Sequence, residues 1–200
     1  MCGIAGLIHK GKTVNIGKEI QDMLQALKHR GPDSTGYALY GEGSNGDYIM
    51  RFKVGENVGE GSSAVNEDKS IYDSRKKQVD SHLKELGAQI VKEDRLTPYS
   101  FRYIIKYDKD LMEFSKKIES VKMTEILSLG KSLELVKDLG DANTVSKQYG
   151  LDKIKGTHAI GHSRMATESG VDIRSAHPFW GYPFSDMSVV HNGQLTSYWN

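Results

Sequence analysis

The chain opens with Met1-Cys2-Gly3-Ile4-Ala5-Gly6, and its second residue is the only cysteine among 200 residues. Removal of Met1 would leave Cys2 with both a thiol and a free α-amino group. Amino termini titrate near ~7.7–8.0 and cysteines near ~8.5, so the amine can take the thiol proton at little cost near neutral pH. This is the N-terminal form of nucleophilic catalysis, in which the nucleophile carries its own base. The alternative is an ordinary buried cysteine, which is what most lone cysteines are, and this residue alone favours that alternative.

The residues behind the cysteine are small or apolar and predict a buried strand over residues 3–9. Apolar residues then recur every three to four positions, which predicts a helix over 16–27 that ends near the following Gly-Pro pair. Strands are predicted over 35–40 and 48–54. The turn between them, 41–46, fits the G-x-G-x-x-G pattern of dinucleotide sites. Because a strand follows it where such a site needs a helix, we predict a hairpin loop instead.

Residues 57–155 differ in character, since they are rich in lysine and acidic residues and carry few chemical motifs. We interpret this section as a structured α+β insertion. Its predicted helices and strands cover 70–86, 101–107, 111–118, 124–129, 133–136 and 143–149. The last section returns to strand at 157–163 and 188–191, with a loop between them.

Composition narrows the class of protein. The formal net charge is +1, which gives no argument for binding to nucleic acid or to an anionic membrane surface. No window approaches the ~20 apolar residues of a membrane-spanning helix, and the first apolar run is too short for a signal peptide. One cysteine excludes a disulfide within the chain and suits a reducing compartment. We therefore expect a soluble, cytoplasmic protein without nucleic-acid or membrane partners.

Four sequence motifs carry the chemistry, and their order along the chain is more informative than any one of them. They are Cys2-Gly3-Ile4-Ala5-Gly6; His29-Arg30-Gly31-Pro32-Asp33-Ser34-Thr35-Gly36; Gly161-His162-Ser163-Arg164-Met165-Ala166-Thr167 with Ala176-His177-Pro178-Phe179; and Val190-His191-Asn192-Gly193-Gln194-Leu195. The i, i+4 spacing of His158 and His162 could suit a metal, but the glutamate of an H-E-x-x-H site is missing. No metal site is predicted.

Together these motifs resemble the class II glutamine amidotransferases, which are N-terminal-nucleophile hydrolases. The resemblance covers residues 1–55 and 155–200. Within the middle section, 125–131 and 137–141 are most similar to the amidotransferase part of glutamate synthases. Phosphoribosyl-pyrophosphate and fructose-6-phosphate amidotransferases are the nearer competitors and asparagine synthetases the more distant one. These three competitors normally carry a synthase domain on the same chain.

The resemblance implies a role for each motif residue. Cys2 would attack the amide carbon of glutamine and form a thioester. The side chain of Asn192 and the backbone N–H of Gly193 would form the oxyanion hole, where loss of one donor typically costs about 10²–10³ in kcat. For Asp33 and Ser34 a turn or capping role is as plausible as a catalytic one.

Substrate binding is implied for four further residues. The planar guanidinium of Arg164 would hold the α-carboxylate of glutamine, and Thr167 would add a hydroxyl to the same pocket. Arg30 and Gly31 would shape the loop over the nucleophile. The family binds the substrate's amino group with an aspartate beyond the Asn-Gly motif, and we expect that C-terminal part of the family domain to be missing here.

The fold implied by the resemblance is α+β: a four-layer αββα sandwich over residues 1–200, with 57–155 as a family-specific insertion. The expected reaction is hydrolysis of L-glutamine to glutamate and ammonia. The ammonia would pass to a partner synthase in a hetero-oligomer, with FMN and iron–sulfur clusters on that partner and no cofactor on this chain. The alternatives are an amidotransferase subunit for another acceptor, such as N-methylglutamate synthesis, or a silent subunit that only binds glutamine or acts as a scaffold.

Overall fold

The apolar run behind Cys2 forms the first strand. The described part of the chain contains two four-stranded antiparallel sheets, one two-stranded hairpin and four α-helices. The computed structural model describes residues 2–31, 33–56, 68–165 and 173–193. The strands are β1 (Gly3–Ile8), β2 (Ser34–Gly41), β3 (Tyr48–Lys53), β4 (Gln89–Arg95), β5 (Ser100–Lys106), β6 (Glu125–Gly130), β7 (Leu133–Leu139), β8 (Gly156–Arg164), β9 (Phe179–Trp180) and β10 (Ser188–Val189). The helices are α1 (Ile16–Ala26), α2 (Lys69–Leu86), α3 (Leu111–Glu119) and α4 (Ala142–Tyr149).

Each of these helices begins where an Asx side chain accepts a hydrogen bond from the first turn. The capping residues are Asn15, Asp68, Asp110 and Asp141. Such a side chain satisfies a backbone N–H that has no partner within the helix, typically worth ~1 kcal/mol. Capping and apolar periodicity therefore act together, and the four predicted helices are confirmed.

The first sheet has the strand order β1-β8-β2-β7, and all neighbours are antiparallel. The late strand β8 lies between the two earliest strands, so Gly3 and Ser34 do not meet directly. Gly3 pairs with Ser163, and Ser34 pairs with Arg164. The start of β1, the start of β2 and the end of β8 consequently lie at one edge of this sheet.

The second sheet has the order β4-β5-β3-β6, also antiparallel. Its apolar face packs with α2 and α3 in one core cluster, while the first sheet packs with α1 and α4 in another. A third cluster joins the sheets to each other and consists of Ala38, Leu127, Leu133 and Leu135. The fold is α+β, as predicted.

A buried ion-pair network also connects the two sheets. Glu134 of β7 accepts hydrogen bonds from Arg51 of β3 at 2.8 Å and from Arg102 of β5 at 2.7 Å. Burial alone would raise the pKa of Glu134, but the two guanidinium groups outweigh it and lower the pKa to about 2. A buried carboxylate needs such partners, because removal of one partner leaves an uncompensated charge.

The structure differs from three expectations about the loops and strands. The turn after β2 is no hairpin, because β2 and β3 belong to different sheets and the turn carries the chain from one to the other. Strand β4 was missed, since its sequence is polar and mostly exposed, as an edge strand allows. The strand predicted over 188–191 is shorter and pairs with Phe179–Trp180, which had been assigned to a loop.

The section predicted as an insertion, 57–155, is built into both sheets. It supplies β4, β5 and β6 to the second sheet and β7 to the first. Its status as a family-specific insertion stays a prediction. In the described parts of the chain, no helix is both long enough and apolar enough to cross a membrane.

Candidate active site

The candidate nucleophile lies at the edge where three strand ends meet. Cys2 directly precedes β1 and is half-buried, and its Sγ lies 3.9 Å from the carbonyl oxygen of Met165, just past the end of β8. The backbone carbonyl of Cys2 accepts a 3.0 Å hydrogen bond from Nδ2 of Asn192. Three motifs far apart in the sequence are thereby brought into contact around one residue.

Arg164 occupies the last position of β8 and is 9% exposed. Its carbonyl oxygen accepts a hydrogen bond from the backbone N–H of Asp33 at 3.2 Å. Gly31 packs against the same stretch: a β-carbon there would lie 2.6 Å from the backbone nitrogen of Met165. The second motif therefore fits against the third by backbone contact, and a side chain at Gly31 has no room.

Arg30 ends a short 3-10 helix, Lys28–Arg30, that follows α1. This helix begins the loop that leads through Gly31 to β2. Beside it, an open cavity of about 620 Å³ is lined by Gln25, Ala26, Lys28, His29 and Met165. Met165 lines this cavity and also lies beside the Sγ of Cys2, so the cavity is adjacent to the candidate nucleophile.

Asn192 and Gly193 follow the short hairpin of β9 and β10. Gly193 has φ +143°, a conformation that side-chain-bearing residues rarely adopt. A β-carbon there would also approach Cε1 of His191 to 3.2 Å. Position 193 therefore favours glycine, and its backbone conformation helps to define the turn that holds Asn192 beside Cys2. Thr167, which was predicted to add a hydroxyl, lies outside the described residues.

Three histidines form a cluster that the sequence analysis did not assign to the site. The ring centroids of His162 and His177 are 4.9 Å apart, and those of His177 and His191 are 6.4 Å apart. His162 is 1% exposed, and neither of its ring nitrogens has a partner among the described residues. Burial, helped by nearby Arg164, lowers the pKa of His162 to about 4. The pKa of His177 is lowered to about 4 as well, chiefly by burial.

One signal for this cluster was available in the sequence, because His177 and His191 stand within the motifs that the resemblance had already placed at the site. Their contact with His162 depends on strand pairing and could not be predicted. His158 is not part of this cluster; its ring stacks on that of Tyr40, with ring centroids 4.0 Å apart. Among the described residues, no group of three or more His, Cys, Asp or Glu side chains is arranged to hold a metal ion.

No family model matches the chain. Curated proteins do match it along its whole length. A protein of Methanothermobacter thermautotrophicus, provisionally named a glutamine amidotransferase, is 37% identical over 100% of this chain and 63% of its own length. The glutamine amidotransferase-like protein GlxB of Rhizobium meliloti is 30% identical over 100% of this chain and 61% of its own.

A third relative is more distant and matches only part of the chain. The chloroplastic amidophosphoribosyltransferase 2 of Arabidopsis thaliana is 34% identical over 36% of this chain and 13% of its own length. The chain therefore spans about three fifths of the length of the two curated relatives that match it fully.

Proposed function

Since the chain belongs to the class II glutamine amidotransferases, we propose that it hydrolyses the side-chain amide of glutamine to glutamate and ammonia, with Cys2 as the nucleophile. The observation that supports this most directly is the 3.0 Å hydrogen bond between Asn192 Nδ2 and the carbonyl of Cys2. It places an amide donor beside the only cysteine of the chain, although the two residues lie at opposite ends of the sequence.

The proposed reaction has two halves. The Cys2 thiol passes its proton to the free α-amino group and attacks the amide carbon, which forms a C–S bond and an oxyanion. Collapse of this intermediate breaks the C–N bond, and the amine returns the proton so that ammonia leaves. Water then attacks the γ-glutamyl thioester, releasing glutamate and restoring the thiol.

The residues around Cys2 support this reaction by geometry. Asn192 and Gly193 would donate hydrogen bonds to the oxyanion, since preorganised donors at that point give the largest electrostatic stabilisation. Arg164, buried at the end of β8, would bind the α-carboxylate of glutamine through its two-pronged guanidinium.

The remaining site predictions concern the substrate pocket and the layers of the fold. Arg30 and Gly31 would shape the wall next to Met165, and Thr167 remains a predicted contributor of a hydroxyl. We also propose the αββα layer order of N-terminal-nucleophile hydrolases. It is supported by two helix pairs that pack on different sheets and by an apolar cluster with residues from both sheets.

We further propose that the ammonia is used by a partner synthase of the glutamate synthase type. The support is the similarity of 125–131 and 137–141 to the amidotransferase part of those enzymes. The first stretch contains β6 and the second contains the last residues of β7, and these two strands lie in different sheets. FMN and iron–sulfur clusters would belong to that partner. Reconstitution with candidate synthase subunits, read out as glutamine-dependent product formation, tests this assignment.

The experiment that tests the core proposal is intact mass spectrometry of untagged protein before and after treatment with a diazo-ketone glutamine analogue. We expect loss of the Met1 mass and one covalent adduct that maps to Cys2. The C2S variant is the matched control and should acquire no adduct. Processed protein that forms no adduct at Cys2, or that is labelled equally well in C2S, would contradict the proposed nucleophile.

A further inference from the structure

Asp186 makes an unusually complete set of hydrogen bonds to the corner where β6 leads into β7. Its Oδ1 accepts from the backbone N–H groups of Ser132 at 2.7 Å and Leu133 at 2.8 Å, and from the Ser132 hydroxyl at 3.0 Å. Its Oδ2 accepts from the backbone N–H of Lys131 at 3.0 Å. One carboxylate thus takes up three consecutive backbone donors, and bonds to an ionised acceptor are the stronger kind.

The backbone at both ends of this contact is adapted to it. Asp186 has φ +57°, a left-handed conformation that Asp and Asn tolerate better than other side chains. Gly130 lies directly under the carboxylate, where a β-carbon would come within 2.5 Å of Oδ1 and 3.1 Å of the Asp186 backbone nitrogen. Partial burial acts to raise the pKa of Asp186, but the three backbone donors outweigh it and hold the pKa below its usual value.

This contact fixes the hairpin that precedes the Asn-Gly pair. Asp186 lies in the loop between β9 and β10, where Gly181 N–H donates to the Met187 carbonyl at 2.8 Å. Ser188, at the start of β10, bonds to the Tyr40 hydroxyl at 2.8 Å. Beyond β10 the chain needs only three residues to reach Asn192. The hairpin is therefore fastened at one end to the sheet corner and at the other to Cys2.

We propose that Asp186 is a positioning residue for the reaction: it anchors the β9–β10 hairpin to the β6–β7 corner and thereby sets the place of Asn192 beside Cys2. This inference rests on the proposed oxyanion role of Asn192. In this proposal Asp186 acts through the hairpin and not through contact with the substrate. A shift of about 1 Å at a catalytic group can lower the rate roughly 10²-fold, so a contact that positions Asn192 from a distance can affect kcat.

The test compares D186N with D108N, which removes the same charge at an exposed position. Asparagine keeps the left-handed backbone and one carbonyl oxygen, but its NH₂ group cannot accept from Lys131. For D186N we expect kcat for glutamine hydrolysis to fall roughly 10- to 100-fold with KM within about twofold of the wild type, because Arg164 lies on a different element. D108N should keep wild-type kcat and KM.

A second variant reaches the same contact without changing Asp186. In G130A the new methyl group displaces the carboxylate, so kcat should fall in the same way. The double variant G130A/D186N should lose no more than the worse single variant, because both changes remove one interaction. Additive losses would mean that the two residues act separately, and the proposal would be wrong.

N192A, measured in parallel, separates failure of this inference from failure of the proposed function. If N192A keeps wild-type kcat, the oxyanion assignment fails and the Asp186 proposal fails with it. If N192A is slow while D186N and G130A are unaffected, only the Asp186 proposal is overturned. A D186N protein that loses its cooperative thermal unfolding, or whose KM rises in proportion to the loss of kcat/KM, would likewise overturn a positioning role.

Discussion

Gly31 places its α-carbon against the backbone that follows β8, and this contact brings the second motif up to Cys2. The room there is limited by main-chain atoms of Arg164 and Met165, which cannot rotate away as a side chain could. The requirement for glycine at this position is therefore one of space, since its φ of 171° is open to any residue.

We expect G31A to lower the free energy of unfolding by about 1–3 kcal/mol, the usual cost of overpacking, and to reduce glutamine hydrolysis as well. G6A is the matched control, because a β-carbon at Gly6 meets the side-chain methyl of Ile160 at 3.3 Å, which can adjust. Urea denaturation and glutaminase assays measure both effects. Equal stability of the two variants would contradict the backbone contact.

At the residue scale, the sequence predicted which residues belong to the candidate site better than it predicted their contacts. Cys2, Arg164 and Asn192 were named from motifs, and the structure brings their segments together. The burial of His162 and its contact with His177 were not predicted. They depend on β8 pairing with β2 and on the loop that crosses Gly36, whose missing side chain leaves room for the His177 carbonyl. Such proximity between distant segments leaves no periodic signal in the sequence.

Strand β7 illustrates how an element is fastened to its neighbours. Asp138 near its end is fully buried and accepts hydrogen bonds from the hydroxyls of Tyr99 and Tyr149, both at 2.6 Å. Tyr99 comes from the β4–β5 turn and Tyr149 from the end of α4. One carboxylate thus connects β7 with Tyr99 from one core cluster and with Tyr149 from another.

For Y149F we expect a loss of about 1.5–3 kcal/mol in unfolding free energy, because the buried carboxylate loses one of its donors. Y107F removes a hydroxyl that donates to the Asp110 carbonyl at 3.2 Å in an exposed position, and it should cost less than about 0.5 kcal/mol. Chemical denaturation of the two variants distinguishes these values. Similar small losses in both would show that Asp138 does not need its second tyrosine.

Helices and strands were easier to predict from the sequence when one face of the element is buried, because such an element carries a regular apolar pattern. Helices with apolar periodicity and Asx caps were found, as were the strands with apolar alternation. Strand β4 was not, because an exposed edge strand has little apolar pattern to read. Nor does alternation say which sheet a strand will join, and this is why the turn after β2 was misread as a hairpin loop.

On the scale of the whole molecule, acid should weaken the fold in two steps. His162 and His177 have folded pKa values near 4 against an ordinary 6.5, so the unfolded chain binds more protons than the folded one between these values. Their contribution to stability is complete above pH 6.5 and is lost as the pH falls towards 4. Glu134 adds a second loss between its ordinary 4.5 and about 2.

We expect Tm to fall steadily from pH 7 to pH 4, and the H162Q variant to show a shallower slope over that range. H82Q, on α2 and away from the histidine cluster, is the control and should keep the wild-type slope. Thermal unfolding followed by circular dichroism at half-unit pH intervals gives the slopes. Identical slopes in H162Q and wild type would show that His162 is not held neutral by burial.

The place of β8 between β1 and β2 has a consequence for biosynthesis. Gly3 finds its partner Ser163 only after that residue has left the ribosome. At synthesis rates of ~5–20 residues per second, the N-terminal strand waits roughly 8–30 s for its neighbour. The proposed reaction requires removal of Met1, and an aminopeptidase would meet that residue on a nascent chain whose first sheet has not yet closed. On the proposed mechanism, exposure of the Cys2 amine would therefore precede assembly of the candidate site.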